Sequence, residues 1–375
     1  MHDPTISRRS ILGGAVVASV TASMNQIVAA DDQAIDVGLI TEPTASHRTG
    51  YLGVLNKCRG IRKVSVADHT GKTLDESRRI LGDRFDRPFV DAAEMMKTVR
   101  PALTVITLEG HRSPAAIEAA LNASSHVLTE KPSCEKLEDF ERVIRLAEEK
   151  KRYVMLAMAT RSSDAVKKSH QLIQDGLIGK PYAATMDWIA DQTRLKNKAY
   201  HQSWLSFKKR AGGGKLIYHG IHYLDLIQFL TGDAIREITG FIQNVGGQPI
   251  EVEDAAVVSF RFPNGMIGTL NTGYYLDRGK QTQIRIWGSR GWLYLDLTAK
   301  KPLEWYSTHP KAPRGVQQYA YTDEGGLYQL FFQDVIDAIN SGGEPPILSS
   351  ESLRALKVVF SAYKAAATGR TQIVG

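Results

Sequence analysis

Three side chains in this sequence have the types needed to move a proton and steady a developing negative charge: Lys131, His222 and Tyr218. Lys131 lies in Glu130-Lys131-Pro132. Its ammonium can donate to an oxygen that gains charge during a reaction, and Pro132 pushes it toward an extended backbone. Taken alone, such a lysine is more often a solvated surface residue. His222 carries an imidazole that titrates near neutral pH, which suits reversible proton transfer; a lone helical histidine is more often structural. Asp225 falls one turn later on the same helical face. It either orients His222 or caps or pairs on its own helix. Tyr218 has a phenol of pKa ~10, which donates a hydrogen bond but is a poor base at neutral pH. His219 stands beside it, and alternation predicts that it points elsewhere.

The elements that must carry these residues fall into two halves. Strand-type runs at 35–41, 62–68, 103–108, 126–130 and 153–158 alternate with helical patterns at 113–123 and 134–149. That alternation predicts βαβ units around a parallel sheet covered on both faces. Lys131 then lies at the carboxyl end of a parallel strand, where open α/β sheets bind ligands. Beyond a helix at 164–175 and the break Gly179-Lys180-Pro181, strands dominate: 182–188, 237–245, 255–262, 266–274, 283–287 and 292–297. Asn264-Gly265 is a hairpin signal, and helices at 327–340 and 351–368 close the chain. The expected fold is α/β: an N-terminal doubly wound parallel sheet at 31–158, then an α+β domain at 159–375 with a largely antiparallel open sheet.

Composition narrows the function. The 375 residues are 43% hydrophobic and 23% charged, which excludes wholesale disorder. Two cysteines, Cys58 and Cys134, make neither a disulfide framework nor a four-ligand zinc site, and both read as structural. No His/Asp/Glu cluster has metal-ligand spacing, so no metal is expected. The net charge of +7 is spread along the chain without a basic block, so no nucleic-acid partner is expected. Residues 6–30 hold Arg8-Arg9, a short mild apolar run and Ala29-Ala30. This reads as a twin-arginine export signal at 1–30, cleaved near Ala30. The expected location is periplasmic, with the export machinery as a partner and no membrane attachment after cleavage.

Three segments together resemble the Gfo/Idh/MocA oxidoreductases, the relatives of glucose–fructose oxidoreductase and inositol dehydrogenase. They are Glu130-Lys131-Pro132; Gly212-Gly213-Gly214 followed by His222 and Asp225; and the closing Leu353-Arg-Ala-Leu with Ala362-Tyr363 and Thr368-Gly369-Arg370. The resemblance implies a Rossmann domain, an open sheet used for homo-oligomers (dimer or tetramer), and hydride transfer between a sugar or polyol carbinol and a nicotinamide. It implies Lys131 as electrophilic helper, His222 as base and Tyr218 as hydroxyl contact, where many relatives carry aspartate. It places Arg161 near the substrate. Tyr200 and Trp204, in an irregular segment before the triple glycine, are candidates to stack on a sugar; His219 and Asp225 complete the substrate set.

The cofactor loop departs from the family's G-x-G-x-x-G turn. Here Thr41-Glu42-Pro43-Thr44-Ala45-Ser46-His47 follows the first strand, and Glu109 stands where relatives have Thr-Pro. Two acids near a diphosphate would repel it. Thr41, Thr44, Ser46 and His47 remain candidate cofactor contacts with Glu130 and Lys131, and Asp68 is either a ribose-binding acid or a strand-end turn acid. The expected cofactor is NAD or NADP, NAD in preference, tightly held. An exported sugar or polyol oxidoreductase is the leading reading. A redox-assisted glycosidase or lyase with bound NAD, and a non-catalytic binding protein with a degenerate nucleotide site, are the alternatives.

Overall fold

The computed structural model describes residues 34–320 and 326–375. The export signal read at 1–30 lies outside the described residues. Six parallel strands form the first sheet: β1 (Ile35–Thr41), β2 (Ile61–Asp68), β3 (Phe85–Phe89), β4 (Leu103–Thr107), β5 (His126–Thr129) and β6 (Val154–Leu156). Their order is β3-β2-β1-β4-β5-β6, the Rossmann order with its switch point between β1 and β4. β4 is buried along its whole length and β1 and β5 over all but their first residues, as expected of strands covered on both faces. β3 holds Pro88, which an edge strand tolerates.

The helices of this half are α1 (Arg48–Lys57), α2 (Leu74–Leu81), α3 (Ala92–Val99), α4 (Ser113–Asn122) and α5 (Leu137–Lys150). α5 buries Phe140, Val143, Ile144 and Ala147 at helical spacing and places Glu138 and Asp139 in its first turn, where the helix dipole favours them. α6 (Asp164–Gln174) then leads to a nine-stranded second sheet, β7 (Pro181–Asp191) to β15 (Gln372–Ile373). Among the described residues only the pair of β7 with β10 (Ile267–Leu276) is parallel in that sheet. Gly265 turns the hairpin of β9 (Ala255–Arg261) and β10 with φ +87°, a conformation open to glycine at no steric cost.

One face of the second sheet packs on α7 (Ile221–Thr231) and the closing helix. The last two helices, α8 (Leu327–Ser341) and α9 (Ser349–Thr368), return to the first half. Ser349 and Ser352 of α9 accept the amides of Val154 and Leu156 and so cap the edge of β6. Tyr363 of α9 reaches Glu253 at 2.7 Å in the second half. A single helix therefore clamps both sheets and fixes how their facing ends meet. Among the described residues no helix is long and apolar enough to cross a membrane.

Candidate active site

β5 ends at Thr129 and delivers Glu130 and Lys131 into the interior; the Lys131–Pro132 bond is cis. Lys131 is 2% exposed. Its Nζ donates to the Tyr218 carbonyl at 2.8 Å, lies 3.4 Å from the Tyr218 ring centroid and 3.5 Å from Glu130 Oε1. Glu130 accepts from the Tyr51 hydroxyl and lies 3.3 Å from His47 Nδ1. Burial pushes the Glu130 carboxyl up, but Lys131, His47 and Tyr51 outweigh it and hold the group below its ordinary range.

The opposing wall is a helix with an unusual start. Gly212 takes φ +80° to end the preceding short helix. Gly213 and Gly214 stand where no side chain fits. A Cβ on Gly213 would stand 2.1 Å from the Tyr363 hydroxyl, and one on Gly214 would stand 2.0 Å from the Glu253 carbonyl. Their smallness lets Glu253 cap the helix from outside its own sequence, its carboxylate accepting from the amides of Gly214 at 2.7 Å and Leu216 at 2.9 Å. Leu216–Gly220 then forms a π turn that runs into α7. Such turns concentrate at functional sites.

This turn carries Tyr218 and His219, and the first turn of α7 carries His222. The His222 ring lies 5.5 Å from Trp188, and its Nδ1 is buried without a hydrogen-bond partner. Burial, with Lys131 second, pushes the imidazole down to about 3. His222 is therefore neutral at physiological pH, the state a proton acceptor needs. His219 does not point away, as alternation suggested. It is packed against Trp188, Tyr218 and Tyr274, and burial pushes its pKa well down.

Two cations here escaped the sequence reading. Lys215 is 1% exposed, and its Nζ has no hydrogen-bond partner. The Arg194 guanidinium lies 5.0 Å from the Tyr200 ring and 5.6 Å from that of Tyr218. The one sequence signal was a lysine set between Gly214 and the apolar pair Leu216-Ile217. Burial, then Arg194 and Lys131, lower Lys215 from 10.5 to about 7. The unfolded chain keeps that proton up to about pH 10, whereas the folded chain releases it near 7. Stability is thus expected to rise between pH 7 and 10, with the full penalty present below 7. Lys215→Met removes the slope and raises Tm at pH 7 by a few degrees, as thermal unfolding across that pH range will read.

Five candidate positions take other roles. Arg161 and Asp225 are not substrate contacts. Arg161 grips Asp225 through Nε at 2.8 Å and Nη2 at 2.6 Å, and reaches Glu351 through Nη1 at 2.9 Å, all in the interior. Asp225 therefore does not orient His222. Trp204 is buried and donates Nε1 to the Thr44 carbonyl at 3.0 Å, tying the 204–211 segment to the β1 loop instead of stacking on a sugar. Thr41 is buried under that loop, bonded to Thr107 at 2.7 Å. Asp68 is the turn acid, not a ribose contact: both oxygens hold the amides and hydroxyls of Thr70 and Thr73. Tyr200 lines a cavity of about 500 Å³ with Arg194.

The β1 loop shows what the two acids do. Glu42 is buried, accepting from the Glu109 amide at 2.8 Å and from Arg112. Glu109 accepts from Arg210 and, at 3.1 Å, from the Thr44 hydroxyl. Pro43 is exposed. Ser46 lies 3.3 Å from the Tyr218 hydroxyl, joining the loop to the opposing wall. A dinucleotide fits this arrangement by donor chemistry. At the reactive end His222 Nδ1 is a buried polar atom without a hydrogen-bond partner, and Glu130 Oε1 has only the Lys131 ammonium at 3.5 Å. Beside the β1 loop Arg112, Arg210 and the first-turn amides of α1 are donors suited to a diphosphate, the two arginines being paired with Glu42 and Glu109. Among the described residues no group of three or more His, Cys, Asp or Glu side chains could hold a metal.

Residues 63–158 match the family model described as an oxidoreductase family with an NAD-binding Rossmann fold. Residues 166–294 match the Gfo/Idh/MocA C-terminal domain. The chain belongs to the Gfo/Idh/MocA oxidoreductase family. Among Gfo/Idh/MocA relatives, 1,5-anhydro-D-fructose reductase of Ensifer adhaerens is 26% identical over 80% of this chain and 83% of its own. Myo-inositol 2-dehydrogenase of Thermotoga maritima is 24% identical over 80% of this chain and 87% of its own. The fold matches levoglucosan dehydrogenase in complex with NADH at a TM-score of 0.80 and 20% identity, covering 91% of this chain and 99% of that one. The Rossmann match of this Gfo/Idh/MocA protein begins at Lys63, so β1 and the loop of Glu42 lie outside it.

Proposed function

We propose that this protein is an NAD(P)-dependent oxidoreductase acting on a CH–OH group of a sugar or polyol. The observation that carries the reading is the convergence of Lys131, from the end of β5, and His222, from the start of α7, in one buried polar cluster. Two relatives are named for reactions on an anhydro sugar and on inositol, which supports that substrate class. The dinucleotide supplies, when bound, the hydride acceptor or donor. Lys131 donates to the carbinol oxygen and stabilises its developing charge. His222, neutral and unpartnered, takes the hydroxyl proton as the C–H bond gives up its hydride and the C=O bond forms. It does not hold that proton long, because burial and Lys131 expel it. Tyr218 is held between Lys131 and Ser46 and offers a hydroxyl to the substrate. The twin-arginine segment adds export in the folded state, with the nucleotide taken up beforehand.

Native mass spectrometry and calorimetry with NAD⁺ and NADP⁺ test the reading. Retained or micromolar nucleotide is expected, with NAD⁺ preferred. Glu42→Gln frees Arg112 for the diphosphate and is expected to tighten nucleotide binding ~10-fold, on the scale of one charge-assisted contact. Failure of both nucleotides to bind at millimolar concentration overturns the proposal in favour of a binding protein. Glycoside cleavage without net change in the nucleotide moves it to the redox-neutral class.

A further inference from the structure

The hydride chemistry proposed above uses Lys131 and leaves two neighbouring cations without a task. Lys215 Nζ lies 4.4 Å from the Tyr274 ring centroid and 5.8 Å from that of Trp188, and it donates to nothing. Arg194 rests on Tyr200 and Tyr218. Neither forms an ion pair with any carboxylate among the described residues. The acids nearby are committed elsewhere. Glu253 caps the π turn and accepts from Tyr363, and Glu130 is engaged with Tyr51, His47 and Lys131.

Aromatic faces return only part of what a buried ammonium loses on leaving water. A fully buried lysine without an acceptor therefore marks a missing negative charge, and the exposed guanidinium of Arg194, which pairs with no carboxylate among the described residues, stands beside it. Arg194 and Tyr200 also line, with Asp191, Thr193, Asn197 and Ser203, the cavity of about 500 Å³, which lies beside the buried Lys215 and has room for a monosaccharide; the Asp191 carboxylate there accepts the Thr193 amide at 2.7 Å.

We propose that the substrate is an acidic sugar or polyol, an aldonate or uronate, whose carboxylate is held by Lys215 and Arg194 while its carbinol faces Lys131 and His222. This inference rests on the oxidoreductase reading for the carbinol and on the two unpaired cations for the acid. A single carboxylate suits them. An arginine stacked on rings keeps its edge free for two parallel hydrogen bonds, and the ammonium supplies a point charge. The groups facing the Lys215 side chain are Arg194, Lys131, His219, Tyr274 and Trp188, while the Glu253 carboxylate lies on the backbone side, held by the Gly214 and Leu216 amides. Acid affinity therefore falls as pH rises above 7 and Lys215 loses its proton.

Calorimetry on the full chain, with and without NAD⁺, tests this against a panel of aldonates and uronates, each beside its parent aldose, with glucose 6-phosphate as the phosphate control. At least one acid is expected to bind 10-fold or more tightly than its aldose. Lys215→Met and Arg194→Met are each expected to weaken that acid 10- to 100-fold and the aldose less than 3-fold, while Lys215→Arg retains the preference. In Lys215→Met the pH dependence above 7 disappears. The inference is overturned if no acid outbinds its aldose, if the phosphate ester outbinds every acid, or if Lys215→Met weakens acid and aldose equally. Acid binding without nucleotide reduction leaves this inference standing and sinks the oxidoreductase reading; turnover of neutral sugars without acid preference does the reverse.

Discussion

Lys131→Met is expected to lower kcat/KM by ~10³, the scale of losing one preorganised donor at a developing oxyanion. That factor corresponds to about 4 kcal/mol of transition-state stabilisation. Lys131 is almost wholly buried, and its ammonium meets the Tyr218 carbonyl, the Tyr218 ring and Glu130 at once. Nothing else in the cluster supplies a cation at the same point. Lys131→Arg is not expected to rescue, because a planar guanidinium does not fit where one compact charge meets a carbonyl and a ring. Removing Lys131 also strips Glu130 of its main counter-charge, so Lys131→Met/Glu130→Gln is the control for stability. A second readout needs no substrate. Lys131 helps to depress His222, so the imidazole titration, followed by NMR, moves up toward neutrality in Lys131→Met. Unchanged turnover, or an unmoved His222, removes Lys131 from the proposed machinery.

Arg161→Met has the largest expected effect on stability, a loss of about 3–5 kcal/mol. Arg161 is 3% exposed and joins three parts of the chain: the turn after β6, Asp225 in α7 and Glu351 at the start of α9. Its removal strands the Asp225 carboxylate in a 2% exposed site with no other cation paired to it. Arg161→Met/Asp225→Leu is expected to recover most of the loss, since a buried pair replaced by apolar groups is often neutral. Denaturant unfolding of the two single variants and the double variant measures the coupling. A loss below 1 kcal/mol in Arg161→Met would show that water relieves the stranded acid.

Most of the architecture was legible because hydrophobic period and length suffice for it. β1, β2, β4 and β5 are short apolar runs, and the helices between them bury one stripe. β3 was missed because Phe85-Asp-Arg-Pro-Phe89 has exposed polar residues and a proline in its middle. The motifs pointed to Lys131, Tyr218 and His222, and the fold brings the three into one cluster. The pairings were not legible. Glu42 and Glu109 were read as repelling a diphosphate, yet each is neutralised by an arginine far along the chain, Arg112 and Arg210. Arg161 and Asp225 looked like substrate contacts for the same reason: sequence displays a charge but not its partner. The triple glycine carried the resemblance, and its packing partners, Glu253 and Tyr363, lie far along the chain.

The π turn at Leu216–Gly220 has an evolutionary consequence. It holds one residue more than the α turn that would replace it. Loss of a single codon in this stretch would leave a regular helix and swing everything upstream of the deletion by ~100° about the axis relative to His222. Lys215 would then leave the aromatic nest, with the scaffold intact. Ligand preference in this lineage is therefore open to change by one small deletion as well as by point substitution.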